Sequence, residues 1–428
     1  MIDLSPLFRL ESKASGRAAR LKKAVLASFR STPAEVEARF AGFDLSDWRW
    51  ILYWLDISGL ALYLLARLTE LGLERCLPEP ILERLKENLA ENRERTDALL
   101  REAAAISRAL TRQRIAFALL KGITLTPDSV PDSALRWQID LDFLVAACDA
   151  TAARHVLMSF GYGLHAVCGN TMEFTAGYSG APDIRKIYRI HSQRSLELHM
   201  LSTTEGRNGR RSDRLSRTQL RSFQGTWIPT LTPADILVQQ SVHLFKHLCG
   251  EHTRASWVLE FWRHVEARRN DTAFWSEVER IAAIEPQAEI ALAAAVLLST
   301  LTFGGAAPDH LALWATDRLP HKVRLWVETF GPRVLLADSA GNKLYLILRQ
   351  ELRGGKAHRP TIRRLVFPAH LPPPITRAAP GERLRSRLAR YRTESYYLFL
   401  RLQFHVVEGL KYAIELSLWQ RRVTETSK

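Results

Sequence analysis

No two cysteines in this chain stand at metal-binding spacing. Cys76, Cys148, Cys168 and Cys249 are scattered through 428 residues and no CxxC occurs. Free thiols in a reducing compartment are therefore expected, rather than a disulfide scaffold. No GxxxxGK(S/T) and no GxGxxG is present, which excludes P-loop and Rossmann nucleotide binding. There is no GxSxG elbow, so serine hydrolase chemistry has no support. The opening MIDLSPLFRLESK lacks a basic stretch followed by an apolar one. No secretory leader and a cytoplasmic location are the expectation. One long charge-free run, Ile290 to Ala307, is interrupted by Ser299, Thr300, Thr302 and the pair Gly304-Gly305. It is read as a buried helix ending near Phe303, with no transmembrane span.

Positive charge is abundant. The formal net charge is +15, a field that attracts nucleotides, phosphorylated substrates, RNA or acidic lipid. Eleven Lys/Arg face a single acid, Glu382, between Arg353 and Arg392. A solvated arginine-rich surface is the ordinary meaning of such a run; an RNA or tRNA groove is the functional alternative. No internal repeat is evident, and the length suggests about two or three domains.

Along the chain, Ser46 and Asp47 are placed to cap a helix running to Gly72, and Pro80 opens a second, long one. The pattern changes at Ile115. IAFALLKG is short, apolar and stopped by glycine, as a buried strand should be. After a loop with Pro127 and Pro131, IDLDFLV alternates strictly: Ile139, Leu141 and Phe143 on one face, Asp140 and Asp142 on the other. Asp149 is placed to cap a helix through Phe160, closed by Gly161. Strands are expected around Gly163–Cys168, Ile184–Ile190 and Arg194–Met200. Thr232-Pro233 reopens a helical region with breaks near Pro286, Gly304 and Pro308. A Pro-rich connection precedes a final amphipathic helix from about Glu382 to Arg422, whose spacing predicts Tyr396, Tyr397, Phe399 and Phe404 packed inward.

Two aspartates on one strand face repel each other and need compensation. Divalent cations are the common solution. Hard carboxylate oxygens suit Mg²⁺, which binds through one or two carboxylates together with substrate phosphates. Two such ions stabilise both oxygens of a phosphoryl displacement. In RSLELHM, Ser195, Glu197 and His199 share one face, so Glu197 is the candidate third carboxylate if this strand lies beside IDLDFLV. A bare D-x-D is a weak signal, equally at home on a half-exposed strand. His243 and His247 share a helix face at i,i+4, but HLFKH lacks the glutamate of HExxH. They are read as packing or supporting histidines, with His199 another supporting group.

LLKGITL, ALRWQIDLDFLV, VLMSFGYGL and RSLELHM together resemble an uncharacterised nucleotidyltransferase family of the DNA-polymerase-β superfamily. That family's pattern runs LKG, an arginine, D-I-D-L-L-V, a helix, G-Y, and an acid before L-H. LTPADILVQQSVHLFKH, WVLEFW and RRLVFP are similar to its later segments, and the likeness spans roughly Asp47 to Pro374. The resemblance implies an α+β fold and transfer of a nucleoside monophosphate from an NTP to an acceptor. Asp140, Asp142 and Glu197 would then be catalytic and ligate Mg²⁺, two ions in all. Lys121, Gly122, Thr124 and Arg136 would bind the nucleotide. The implied organisation is an N-terminal helical region (1–113), a nucleotidyltransferase domain with a small mixed sheet (114–205), a helical domain (206–353), and a basic connection with the C-terminal helix (354–428). The acceptor, a small molecule, peptide, protein or RNA, stays open. A catalytically silent relative acting as a basic RNA-binding or scaffold module is the alternative. Departures from the family pattern are the seventeen residues between Gly122 and Asp140, and glutamates at 197 and 260 where aspartate is commoner.

Overall fold

The computed structural model describes residues 13–177, 187–189, 194–201, 214–285, 287–337, 341–353 and 383–426. The fold is α+β: one mixed seven-stranded sheet with helices before and after it. Most of the basic segment, RRLVFP, the pair Gly354-Gly355, Pro286 and most of the strand expected at Ile184–Ile190 lie outside the described residues. Within that last segment, residues 187–189 form a turn and bend, not a strand.

The N-terminal helices are α1 (Lys13–Ser28), α2 (Pro33–Phe40), α3 (Leu45–Ser58), α4 (Ala61–Glu70) and α5 (Glu79–Arg112). The helix expected from Asp47 to Gly72 is in fact two, α3 and α4, bent by 109°. Gly59 makes the corner at φ +74°, and a Cβ there would meet Ser256 Oγ at 2.4 Å. Left-handed backbone and close approach both demand glycine. The cap of α3 is Asp44, not Ser46 or Asp47: Asp44 accepts from the amides of Ser46 and Asp47, and the Asp47 carboxylate reaches back to the Asp44 amide. That reciprocal pair is a capping box. Pro80 occupies the first turn of α5, as its fixed φ allows.

The strands are β1 (Phe117–Leu120), β2 (Asp140–Ala146), β3 (Gly163–Cys168), β4 (Thr171–Ala176), β5 (Arg194–Leu201), β6 (Thr218–Phe223) and β7 (Thr226–Leu231). Their order is β3-β4-β5-β2-β1-β7-β6. β2 and β5 run parallel, as do β1 and β7; the remaining pairs are antiparallel. Helix α6 (Ala150–Ser159) follows β2; Asp149 stands at its N-cap without a side-chain capping bond. One sheet face, carrying Phe117, Leu119, Leu141, Phe143, Val145, Leu196 and Leu198, packs on α5 and α6. Ala118 and Leu144, on the opposite face, join the larger helical core.

That core is closed by α7 (Pro233–Leu248), α8 (Ala255–Ala267), α9 (Thr272–Ile284), α10 (Ala288–Phe303), α11 (Asp309–Arg318), α12 (His321–Leu335) and α13 (Tyr345–Leu352). α10 is the charge-free run of the sequence. It is buried on nearly all sides, as a helix apolar all round must be. Among the described residues no single helix is long and apolar enough to cross a membrane. The C-terminal helix α14 (Leu384–Thr426) buries Phe404, Tyr412 and Trp419. Tyr396 and Phe399 are exposed, against expectation. Among the described residues, the start of α14 is exposed along its length, with Leu384, Leu388 and Tyr391 open as well.

Candidate active site

The functional residues gather where β1 ends beside β2 and β5. Leu120 is the register partner of Asp142, and across the parallel pair Asp142 faces Glu197. Alternation does the rest. With Leu141, Leu196 and Leu198 turned to the α5–α6 side, Asp140, Asp142, Glu197 and His199 turn to the side of α7 and α8.

Lys121 follows β1 and enters this acidic face. Its Nζ donates to Asp142 Oδ1 at 2.6 Å and lies 3.4 Å from Glu197 Oε2. His199 Nε2 lies 2.8 Å from Asp142 Oδ1 and 3.2 Å from Glu197 Oε2, while its Nδ1 is 3.1 Å from Thr171 Oγ1. Ligand atoms of Asp142, Glu197 and His199 all lie within 4.8 Å of one another. Asp140 stands outside that trio but lines the same cavity.

The electrostatics follow from crowding. Burial, then Asp142, pushes the Asp140 carboxyl up to about 6. The hydrogen bond from His199, aided by Lys121, outweighs burial and holds Glu197 well below the usual carboxylate range. Burial opposes charge on Lys121 and His199, yet the carboxylates prevail and raise both. Three carboxylates thus meet one ammonium, Lys121, and one imidazole, His199.

The turn that delivers Lys121 is under backbone constraint. Lys121 has φ +47° and Gly122 φ +40°, a region costly for any residue with a Cβ. A Cβ on Gly122 would lie 2.3 Å from Gln138 Oε1. Thr124 is buried, and its hydroxyl donates to the Lys121 carbonyl at 2.8 Å, so it shapes this turn. It lies off the main cavity and lines a second one of about 200 Å³, shared with His199, Gln239, Gln240 and His243. Arg136 donates from Nε to Glu260 Oε2 at 3.2 Å and from Nη1 to Gln138 Oε1 at 3.1 Å. Tyr63 Oη donates to Glu260 Oε1 at 2.9 Å. This buried network ties α4, α8 and the Gly122 turn together.

The main cavity, about 570 Å³, is lined by Asp140, Asp142 and Glu197 and also by Lys246, Thr253, Arg254 and Trp257. His243, His247 and Trp257 pack ring on ring, with centroids 4.2–4.9 Å apart. Burial keeps His243 well below its ordinary pKa and brings His247 down to about 4. Tyr53, Trp54 and Ile57 of α3 complete the wall, so the N-terminal helices do more than pack. Neither these three nor Arg254 carries any sequence signal of proximity: the nearest lies more than eighty residues from Asp140.

The donor set fits a divalent cation. Carboxylate oxygens from two adjacent strands suit a hard ion, and Asp140 has no salt bridge among the described residues. The His199 nitrogen is a softer donor, better suited to orienting a carboxylate than to binding Mg²⁺.

The site is a mixed sheet bearing acids on adjacent parallel strands, in a cavity that cationic side chains also line. Residues 44–304 match the family described as uncharacterised nucleotidyltransferase, and the chain belongs to that family. No curated protein matches it. Among solved structures it is similar to an antigenic nucleotidyltransferase-like protein from Paracoccidioides brasiliensis. That match has 12% identity and a TM-score of 0.30, covering 46% of this chain and 92% of that one; likeness at that level carries no weight here.

Proposed function

We propose that this protein moves a nucleoside monophosphate from an NTP to an acceptor, at the acidic face formed by Asp140, Asp142 and Glu197. The observation that carries the proposal is the in-register pairing of Asp142 with Glu197, beside an Asp140 whose acidity is suppressed by burial and then by Asp142. Such a face is costly without a cation and well matched to one or two.

Mg²⁺ bound there supplies charge neutralisation for the phosphates and the departing pyrophosphate. Asp140 and Asp142 hold it, with Glu197 as third ligand. Gly122 lets the backbone approach the phosphates. Lys121, which lies on Asp142, would be free to hold a phosphate oxygen once Asp142 served a cation. The acceptor's hydroxyl or amine attacks the α-phosphorus, the bond to the bridging oxygen breaks and pyrophosphate leaves. The acceptor's proton leaves to water, while Glu197, held deprotonated by the hydrogen bond from His199, would position the acceptor group. His199 also lines the smaller cavity, a suitable place for the acceptor group. Arg136, tied to Glu260, holds the turn before β2 rather than a phosphate.

One observation favours the silent reading: Lys121 already neutralises Asp142. Calorimetric titration of each NTP, with and without Mg²⁺, separates the two. Binding that requires Mg²⁺ and disappears in the folded Asp140→Ala/Asp142→Ala protein supports transfer. A folded wild type that binds no NTP would leave a scaffold or RNA-binding module as the surviving account.

A further inference from the structure

Arg254 lines the cavity without a salt bridge among the described residues, Glu260 and Asp140 acting on its charge only from beyond ion-pair distance. Neighbouring Arg136 is paired with Glu260. The Arg254 guanidinium instead lies between two indoles, 4.1 Å from the Trp137 ring centroid and 5.2 Å from that of Trp257. Among the described residues it forms no salt bridge and no hydrogen bond through its side chain. Burial, then nearby Arg136, lowers it to about 10, so it remains charged at neutral pH. Aromatic faces fix a guanidinium by its flat sides and leave its N–H donors, arranged around the edge, available to an oxyanion.

Two neighbours strengthen the site. Arg254 occupies the N-cap of α8, a thirteen-residue helix whose first turn has no side-chain cap. Unmatched amides and the helix dipole favour an anion there. Lys246 of α7, exposed, lines the same cavity. The cavity is thus lined both by the acids and by these two cations.

We propose that Arg254, with Lys246 and the first turn of α8, is a binding site for the terminal phosphates of a polyphosphate chain whose other end lies at the acidic face. This rests on the nucleotidyltransfer reading and specifies which end of the nucleotide faces which wall. A bidentate, charge-assisted contact from a pre-oriented guanidinium separates triphosphates from monophosphates.

The test uses inorganic tripolyphosphate in EDTA, so that the carboxylate site makes no metal-dependent contribution. Titration should show binding by the wild type that weakens about ten- to hundredfold in Arg254→Met and recovers in part in Arg254→Lys. Binding of a nucleoside monophosphate with Mg²⁺ should be unchanged. Asp140→Ala/Asp142→Ala should keep its metal-free tripolyphosphate binding. Should Arg254→Met fail to fold, Lys246→Met, altered at an exposed side chain, should show the same loss at smaller size. Equal tripolyphosphate affinity in wild type and the folded variant, or none in the wild type, overturns the proposal. Failure of the transfer reading looks different: Mg²⁺-dependent NTP binding is absent while tripolyphosphate binding remains.

Discussion

Asp142 and Glu197 are direct register partners on neighbouring parallel strands, and one ammonium, Lys121, reaches both. Parallel pairing without a tight hairpin requires chain elsewhere to bring β5 back beside β2. Here the route passes through α6, β3 and β4. The two acids are therefore joined by the fold and not by sequence proximity, and the site's chemistry depends on how its excess negative charge is met.

Cation binding should stabilise the protein. A ligand bound only by the native state adds about 2.7 kcal/mol at a hundredfold excess over its Kd. Mg²⁺ with NTP should therefore raise the melting temperature of the wild type and leave Asp140→Asn/Asp142→Asn unmoved. The comparison is of ligand-induced shifts, because Asp142→Asn removes the repulsion with Asp140 and also the partner of Lys121. Equal ligand-induced shifts in both proteins would place the cation elsewhere.

Gly122→Ala should destabilise the fold and weaken nucleotide binding together. The positive φ costs about 1–3 kcal/mol for a residue with a Cβ, and the new methyl meets Gln138 Oε1. Adding Gln138→Ala should relieve the clash but not the backbone cost, so denaturant midpoints should recover only in part. Full recovery would show that the backbone angle is of no consequence.

Glu260→Ala should cost about 3–5 kcal/mol, as expected when one member of a buried ion pair is removed. Glu260 is 2% exposed and accepts from both Tyr63 and Arg136. Urea unfolding measures this, and a loss under 1 kcal/mol would contradict the network's role.

The acidity of His264 gives a stability profile with a definite sign. Burial lowers it from 6.5 to about 4, although Asp128 pulls the other way. The folded protein thus keeps His264 neutral while the unfolded chain binds a proton between those values. Its share of stability is fully present above pH 6.5 and is lost as pH falls toward 4. Relative to His264→Phe, which retains a ring beside Phe274, the wild type should lose ground over that window. A difference between the two that does not vary with pH would refute the assignment.

Much of the site was legible because β2 and β5 alternate strictly, and alternation is a direct readout of which face is buried. The acids at 140, 142 and 197 follow from it. β4, β6 and β7 carried no comparable pattern. In TMEFTA only Phe174 and Ala176 are buried, and Pro229 sits inside β7, next to the edge strand β6. The sheet consequently draws two strands from beyond residue 205. The corner at Gly59 was hidden because an apolar period continues through it; only the approach of Ser256 reveals why the helix turns. Arg254 was invisible for a similar reason, since the stacking that defines it joins residues 137, 254 and 257. Thr124 shows the converse: next to Lys121-Gly122 in sequence, its hydroxyl is consumed by the turn.

The most direct measurement is a crystal structure with Mn²⁺ and an NTP analogue whose α,β-bridging oxygen is replaced by methylene, using Mn²⁺ anomalous scattering to locate the cation. The account predicts an anomalous peak bridging Asp140, Asp142 and the analogue's phosphates, with Lys121 moved off Asp142. Analogue bound away from these carboxylates, or Lys121 still paired to Asp142 with no peak between them, would contradict it.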